Sequence, residues 1–185
     1  YKDMTNPKWE GKMLGADPNI SSGSYDLFIA LLENKRIDLE TVTAIGKMAR
    51  FAAGTQQIAA ALARGEYPLG VGFSDVDAAP FLKEGAPIRA LAMQEGIVAI
   101  TSSMARVKDG PHPNAAKLFM NWMFTKEGQS VYTQAAGLAS VRKDVTDSRH
   151  PNSQTNASIY PIDDKIAEKE AQLFRDKYFV NLWKK

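Results

Sequence analysis

The stretch ALARGEYPLGVGFSD, residues 61–75, contains the end of one predicted helix, a strand and the polar start of the next helix. Gly65 is a helix-stop signal. Leu69, Val71 and Phe73 alternate with glycines, which predicts a strand with one bare face that another backbone can approach closely. We expect the three large side chains to point into a core. A helix, a strand and a second helix in such quick succession predict an α/β layer.

The residues before this stretch repeat the same rhythm. Residues 12–16 predict a short strand, and the serine-rich segment after it predicts a helix that ends near Asn34. Asp38 is the expected cap of a second helix, whose apolar residues recur at helical spacing. Residues 49–53 are a weaker strand candidate, and Gly54 begins a third helix. The first half of the chain therefore predicts an open sheet flanked by helices.

The second half of the chain has fewer strands and more helix. Residues 97–101 predict a strand, and residues 114–124 and 125–136 predict two helices separated by a cap. A polar stretch, residues 143–158, resembles a surface linker. Residues 160–185 predict a final helix with one apolar face.

The composition excludes several classes of protein. The 23 lysines and arginines nearly balance the 21 acidic residues, so the net charge of +2 indicates no nucleic-acid partner. The longest apolar run, residues 25–32, is far shorter than the roughly 20 residues that cross a bilayer. The sequence contains no cysteine, which excludes disulfides, thiolate nucleophiles and Cys-ligated zinc. We expect any export signal to lie upstream of Tyr1.

Several short blocks of sequence carry information through their common order and spacing. They are DMTNPKWEGK at residues 3–12, ALARGEYPLG at residues 61–70, KEGAP at residues 83–87, HPNAAKLF at residues 112–119 and KEGQ at residues 126–129. Together these blocks resemble family 1 of the bacterial extracellular solute-binding proteins, which includes ferric-ion and phosphorylated-solute binders. The resemblance spans nearly the whole chain.

This resemblance implies an α/β fold of the type II periplasmic-binding-protein kind, a hinged clamshell of two lobes. Residues 1–95 would form the second lobe, and residues 96–159 the hinge return strand and helices of the first lobe. Residues 160–185 would form the carboxy-terminal helix. Family members have a first-lobe segment before the block at residues 3–12. We therefore expect one lobe plus the carboxy-terminal part of the other, completed by an amino-terminal segment or by a second copy of the chain.

The function implied by the resemblance is transport, not catalysis. The protein would be the periplasmic component of an ABC importer, and it would capture a small polar, anionic organic solute for a membrane permease without a cofactor. Two other classes stay open, because fold does not decide function. One is a ligand-sensing effector domain of a transcriptional regulator. The other is an enzyme on a similar bilobal fold, although we find no nucleophile elbow, glycine-rich phosphate loop or paired catalytic residues.

Two predicted helix starts are candidates for solute binding. Hydroxyl groups and free backbone N–H groups at a helix start attract anions and hydrogen-bond acceptors. If both starts lie at one end of the sheet, they meet in one crevice. The alternative is that they are plain helix caps. The candidate residues at these starts are Ser21, Ser22, Gly23, Ser24, Thr55 and Gln56.

A third group of candidates follows the glycine-rich strand. Ser74, Asp75 and Asp77 either face the same crevice or form an ordinary polar loop and cap. Because proline is tolerated in the first turn of a helix, Pro80 makes Asp77 the expected cap. An acidic side chain pointing into the crevice would repel an anion and favour an amine or hydroxyl instead.

We expect no metal site in this chain. Ferric-ion binders of the resembled family ligate iron with adjacent tyrosines near this position, whereas residues 73–78 read FSDVDA. His112 and His150 lie beside prolines and lack metal-ligand spacing, which favours surface positions.

Overall fold

The computed structural model describes residues 1–18, 22–99, 103–149, 151 and 158–161. Two short 3-10 helices, Lys2–Thr5 and Pro7–Trp9, open the chain. The strands are β1 (Met13–Ala16), β2 (Arg50–Ala52), β3 (Leu69–Val71), β4 (Ile97–Ala99) and β5 (Ile159–Pro161). The helices are α1 (Ser22–Glu33), α2 (Leu39–Met48), α3 (Thr55–Ala63), α4 (Asp75–Lys83), α5 (Pro113–Met123) and α6 (Lys126–Ala136).

A parallel three-stranded sheet in the order β2-β1-β3 is the centre of the fold. Gly15 of the middle strand lies opposite Phe51 on one side and Val71 on the other. Each connection between these parallel strands passes through one or two helices, as expected for an α/β layer. The predicted open sheet with flanking helices is therefore confirmed, and its elements begin and end within a few residues of their expected positions.

The two faces of this sheet are covered by different helices. On one face, Met13 and Val71 belong to a large core with Phe28 of α1 and Ile45 of α2. On the other face, the alternate residues of β1, Leu14 and Ala16, pack with Ile58 and Ala61 of α3. Successive side chains of a strand point to opposite faces, so a four-residue strand contributes to both cores.

The alternating pattern predicted that Phe73 shares a face with Leu69 and Val71, and this prediction is wrong. Leu69 and Val71 are confirmed in the large core, whereas Phe73 packs in the smaller core on the other face. Gly72 has a φ of +72°, which turns the chain after β3 and reverses the alternation. A Cβ on Gly70 would lie 2.5 Å from both Leu62 Cδ1 and Phe73 Cε1. The bare face of the strand is thus filled by side chains.

The cap of α4 also differs from the prediction. Ser74 is the N-cap, and its side chain accepts a hydrogen bond from the Val76 amide at 3.1 Å. Asp77 accepts one from the Ser74 amide at 3.3 Å, so the two residues form a capping box, and Pro80 lies inside the helix. The reciprocal pair satisfies two N–H groups that otherwise lack partners at a helix start.

The second half of the chain forms a small sheet and a pair of helices. Strands β4 and β5 pair in parallel, and Val98 of β4 packs against the large core beside α1. The two predicted helices are confirmed as α5 and α6. The Thr125 hydroxyl caps α6 by accepting a hydrogen bond from the Gly128 amide, and Gly137 ends this helix in a left-handed conformation. Sequence analysis missed β5. Residues 160 and 161, included in the predicted final helix, belong to this strand, and residues 162–185 lie outside the described part.

In the described part of the chain, no helix has the length and apolar character needed to cross a membrane.

Candidate ligand-binding site

Three helices begin at the same edge of the central sheet. The strands of this sheet are parallel, so their last residues, Ala16, Ala52 and Val71, lie at one edge. Helices α1, α3 and α4 each follow one of these strands directly. A helix start presents N–H groups that have no partner within the helix itself, and it is the positive end of the helix dipole. This edge therefore gathers hydrogen-bond donors from three separate segments.

The start of α1 is tightly packed against the end of β3. Ser24 is 1% exposed. A Cβ on Gly72 would lie 3.3 Å from the Ser24 Cα and would overlap its side chain. A Cβ on Gly23, by contrast, would meet no described atom within 4 Å. Ser22 is the first residue of α1, and its side chain, like the whole of Ser21, lies outside the described part.

The starts of α3 and α4 are joined by one carboxylate. Asp77 Oδ1 accepts a hydrogen bond from the Thr55 hydroxyl at 3.0 Å, while its Oδ2 accepts the hydrogen bond from the Ser74 amide. Gln56, in the first turn of α3, has an exposed side chain. The candidates Thr55 and Ser74 thus lie together, and their polar atoms hold the two helix starts in place.

Asp75, the first residue of α4, forms an ion pair with a residue far away in sequence. Its Oδ2 lies 2.8 Å from Arg149 Nη1. Arg149 also donates from Nε and Nη2 to Asp147. Hydrogen bonds from Arg149 hold the pKa of Asp147 below its usual range, and hydrogen bonds to Asp147 and then to Asp75 raise the pKa of Arg149. Arg149 therefore places a positive charge at the start of α4.

Sequence analysis missed Arg149 as a residue of this site. The sequence DSR at residues 147–149 indicates at most a local pair between Asp147 and Arg149. The contact with Asp75 spans 74 positions along the chain. A contact of this kind depends on the fold, because no spacing rule of helices or strands brings the two residues together.

The arrangement is suited to a small acceptor or anion. Asp75 is paired with Arg149, and Asp77 accepts hydrogen bonds from two residues, so both carboxylates have partners within the protein. The dipoles of three helix starts favour a negative group at this edge. Among the described residues, no group of three or more His, Asp or Glu side chains could hold a metal ion.

An open groove of about 360 Å³ lies elsewhere, between the later parts of α3 and α4. Ala63, Arg64, Phe81 and Glu84 are among the residues that line it. The groove contains none of the candidate residues predicted from the sequence.

A family model described as bacterial extracellular solute-binding protein matches residues 1–137. An uncharacterized protein from Haemophilus influenzae is 25% identical over 156 residues, a match that covers 83% of this chain and 45% of that protein. The chain thus spans less than half the length of this relative.

Two solved structures have a similar fold. A two-component system protein of signal transduction matches with a TM-score of 0.70 at 21% identity, over 96% of this chain and 60% of its own. The periplasmic binding protein AfuA from Actinobacillus pleuropneumoniae, with exogenous fructose-6-phosphate bound, matches with a TM-score of 0.69 at 22% identity. The AfuA match covers 95% of this chain and 58% of AfuA. These similarities confirm the expected α/β fold of a periplasmic binding protein, of which this chain represents a part.

Proposed function

Because the chain belongs to the family of bacterial extracellular solute-binding proteins, we propose that it is part of the periplasmic component of an ABC importer. Its role is to capture a small polar, anionic organic solute and to release it to a membrane permease. Residues 1–95 form one lobe of a hinged clamshell, and residues 96–159 return to the other lobe. Closure of the lobes encloses the solute, and no covalent bond is made or broken.

The observation that carries the proposed charge of the solute is the gathering of three helix starts at one sheet edge. Backbone N–H groups of α1 and α3 supply neutral donors, which hold an anion without a buried counter-charge. Asp75 and Asp77, which would otherwise favour a cation, have protein partners. The structure of AfuA has exogenous fructose-6-phosphate bound, a solute of the same chemical class.

The other partner in this proposal is polypeptide that completes the first lobe. Leu118 and Phe119 of α5 and Val131 of α6 are at least half exposed. A two-stranded sheet such as β4–β5 is marginal by itself, and exposed apolar patches promote association. Since 42% of AfuA has no counterpart in this chain, we assign this face to the corresponding additional polypeptide. Sedimentation of the chain at high concentration tests the assignment: a compact monomer contradicts it, whereas association supports it.

A second candidate function is solute sensing. The two-component system protein has a similar fold, so the same capture can serve a receptor instead of a permease. Co-purification distinguishes the two functions, because a transporter component binds its permease and a sensor binds a histidine kinase or another signalling protein.

Titration calorimetry with fructose-6-phosphate, fructose, inorganic phosphate and a polyamine tests the proposed solute class. We expect binding of at least one of the two phosphate compounds and no binding of the polyamine. Tight binding of the polyamine would overturn the anionic assignment. A lack of binding of all four, with turnover of a phosphate ester, would indicate an enzyme.

Two substitutions at Gly23 show where the anion binds. Gly23→Asp adds a negative charge to the first turn of α1, where an acidic residue stabilises the helix. We expect it to preserve the melting temperature and to weaken phosphate binding by about tenfold or more. Gly23→Asn, the uncharged control, should bind nearly as well as the original protein. Equal binding by both variants would place the solute elsewhere.

A further inference from the structure

Arg149 follows α6 in the sequence, and its side chain contacts the start of α4. Its side chain is 18% exposed and lies between two carboxylates, those of Asp75 and Asp147. Nη1 donates to Asp75 at 2.8 Å, and Nη2 donates to Asp147 at 2.6 Å. A guanidinium can serve two carboxylates at once because its five N–H donors point outward in a fixed fork. Lysine has no equivalent planar geometry.

The location of Asp75 makes this contact important for the candidate site. Asp75 is the first residue of α4 and lies three positions after Gly72. Gly72 in turn packs closely against Ser24 of α1. A carboxylate at this point is adjacent to the donors of the site. Without Arg149, Asp75 and Asp147 would leave two negative charges here, whereas with Arg149 the three side chains carry one.

We infer that Arg149 sets the charge preference of this site, by offsetting Asp75 so that the helix starts accept an anionic solute. The inference rests on the proposed function, since it names the residue that selects the solute class. Arg149 is a positioning and charge-compensating residue here, and no contact between Arg149 and the solute is required.

The chain contains a matched control for Arg149. Arg142 also pairs with an aspartate two positions away, donating from Nε and Nη2 to Asp144 at 2.9 Å. Its Nη1 donates to the carbonyl oxygen of Phe124 and not to a second carboxylate. Loss of Arg142 therefore removes the same kind of local pair without changing the charge beside α4.

The experiment measures phosphate binding by calorimetry for the full chain and a charge cycle of variants. We expect Arg149→Gln to weaken binding of fructose-6-phosphate about tenfold or more, because Asp75 then repels the phosphate. Asp75→Asn should strengthen binding a few-fold. The double variant, which combines Arg149→Gln with Asp75→Asn, should recover most of the affinity that Arg149→Gln loses. Arg149→Lys, which keeps the charge, should bind better than Arg149→Gln. Arg142→Gln should bind like the original protein.

The charge cycle separates a failed inference from a failed function. If the original protein binds phosphate compounds and Arg149→Gln binds them equally well, the inference is wrong and the proposed function stands. If Arg149→Gln is weak and the double variant is no better, Arg149 acts through folding or direct contact, which also overturns the inference. If the original protein binds neither phosphate compound, the anionic function itself fails. Recovery in the double variant is the result that a purely structural role of Arg149 would not produce.

Discussion

The β1–β3 sheet with helices α1–α4, here called the sheet unit, and the α5–α6 pair differ in how far they bury their large apolar side chains. In the sheet unit, the large apolar side chains of Phe28 and Ile58 are completely buried. In the α5–α6 pair, Gln129 and Thr133 are buried, whereas Phe119 is 51% exposed. The sheet unit thus covers its apolar surface with its own helices, while the helix pair presents apolar surface outward.

Hydrogen bonds hold the α5–α6 pair together. Gln129 Nε2 donates to the Met123 carbonyl at 3.0 Å, and Gln129 Oε1 accepts from the Ser140 hydroxyl at 3.0 Å and the Val141 amide at 3.3 Å. The Thr133 hydroxyl donates to the Gln129 carbonyl at 2.8 Å. Buried polar groups with partners do not destabilise a fold. The pair is therefore ordered internally, and its apolar face is available to another element.

The largest expected effect distinguishes a core phenylalanine from an exposed one. Phe28→Ala should lower the free energy of unfolding by about 3 to 5 kcal/mol, because it removes a fully buried ring and leaves a cavity. Phe119→Ala should change it by less than about 0.5 kcal/mol in the isolated chain. Urea unfolding measures both values. Equal losses would show that the α5–α6 face is covered within this chain.

The next effect tests the close contact at the end of β3. Gly72 and Gly65 have the same φ of +72°, but a Cβ meets Ser24 only at Gly72 and no described atom within 4 Å at Gly65. Gly65→Ala should cost about 1 to 2 kcal/mol of backbone strain. Gly72→Ala should cost a further 1 to 3 kcal/mol or so through overpacking. Thermal unfolding measures the difference in stability between the two variants. Equal costs would mean that α1 moves away from residue 72 easily.

A smaller effect is expected inside the helix pair. Gln129→Ala removes a donor and an acceptor and leaves buried backbone groups without these partners, which should cost about 1 to 3 kcal/mol. Gln134→Ala, at an exposed position of the same helix, should stay within about 0.5 kcal/mol of the original protein. If the two variants unfold alike, hydrogen bonding does not hold the pair together.

The smallest effect concerns the helix caps and depends on pH. Asp38 accepts hydrogen bonds from Thr41, which lower its pKa in the folded state. A lowered pKa gives stability that is present above the unfolded pKa, about 3.9, and is lost as the pH falls through the folded value. Asp38→Ala should therefore cost about 1 kcal/mol at pH 7 and less at pH 3.

The neutral cap of α6 is the control for this pH dependence. Thr125 has no charge to titrate, so the cost of Thr125→Ala should be the same at both pH values. A cost of Asp38→Ala that does not change between pH 7 and pH 3 would contradict the role of its carboxylate.

Local patterns were enough to predict most of the elements but only part of the site. Asp38 was recognisable as the start of a helix because a cap acts on the residues next to it. Strand β5 was missed because its three residues follow a polar stretch, and its pairing partner β4 lies about 60 positions earlier. Phe73 was placed on the wrong face because one residue at positive φ reverses the alternation.

The sequence by itself determined the α/β class, the family and, to within a few residues, the positions of the helix starts, since periodicity, caps and ordered blocks are properties of neighbouring residues. Only the tertiary structure decided which of these groups meet. It joined Thr55 to Asp77, seated Ser24 against Gly72 and brought Arg149 to Asp75. The first two contacts depend on the order and direction of strands, because parallel strands carry distant segments to one edge of the sheet. Arg149 offsets the charge of Asp75 only after folding, so the charge preference proposed for the site is a property of the fold.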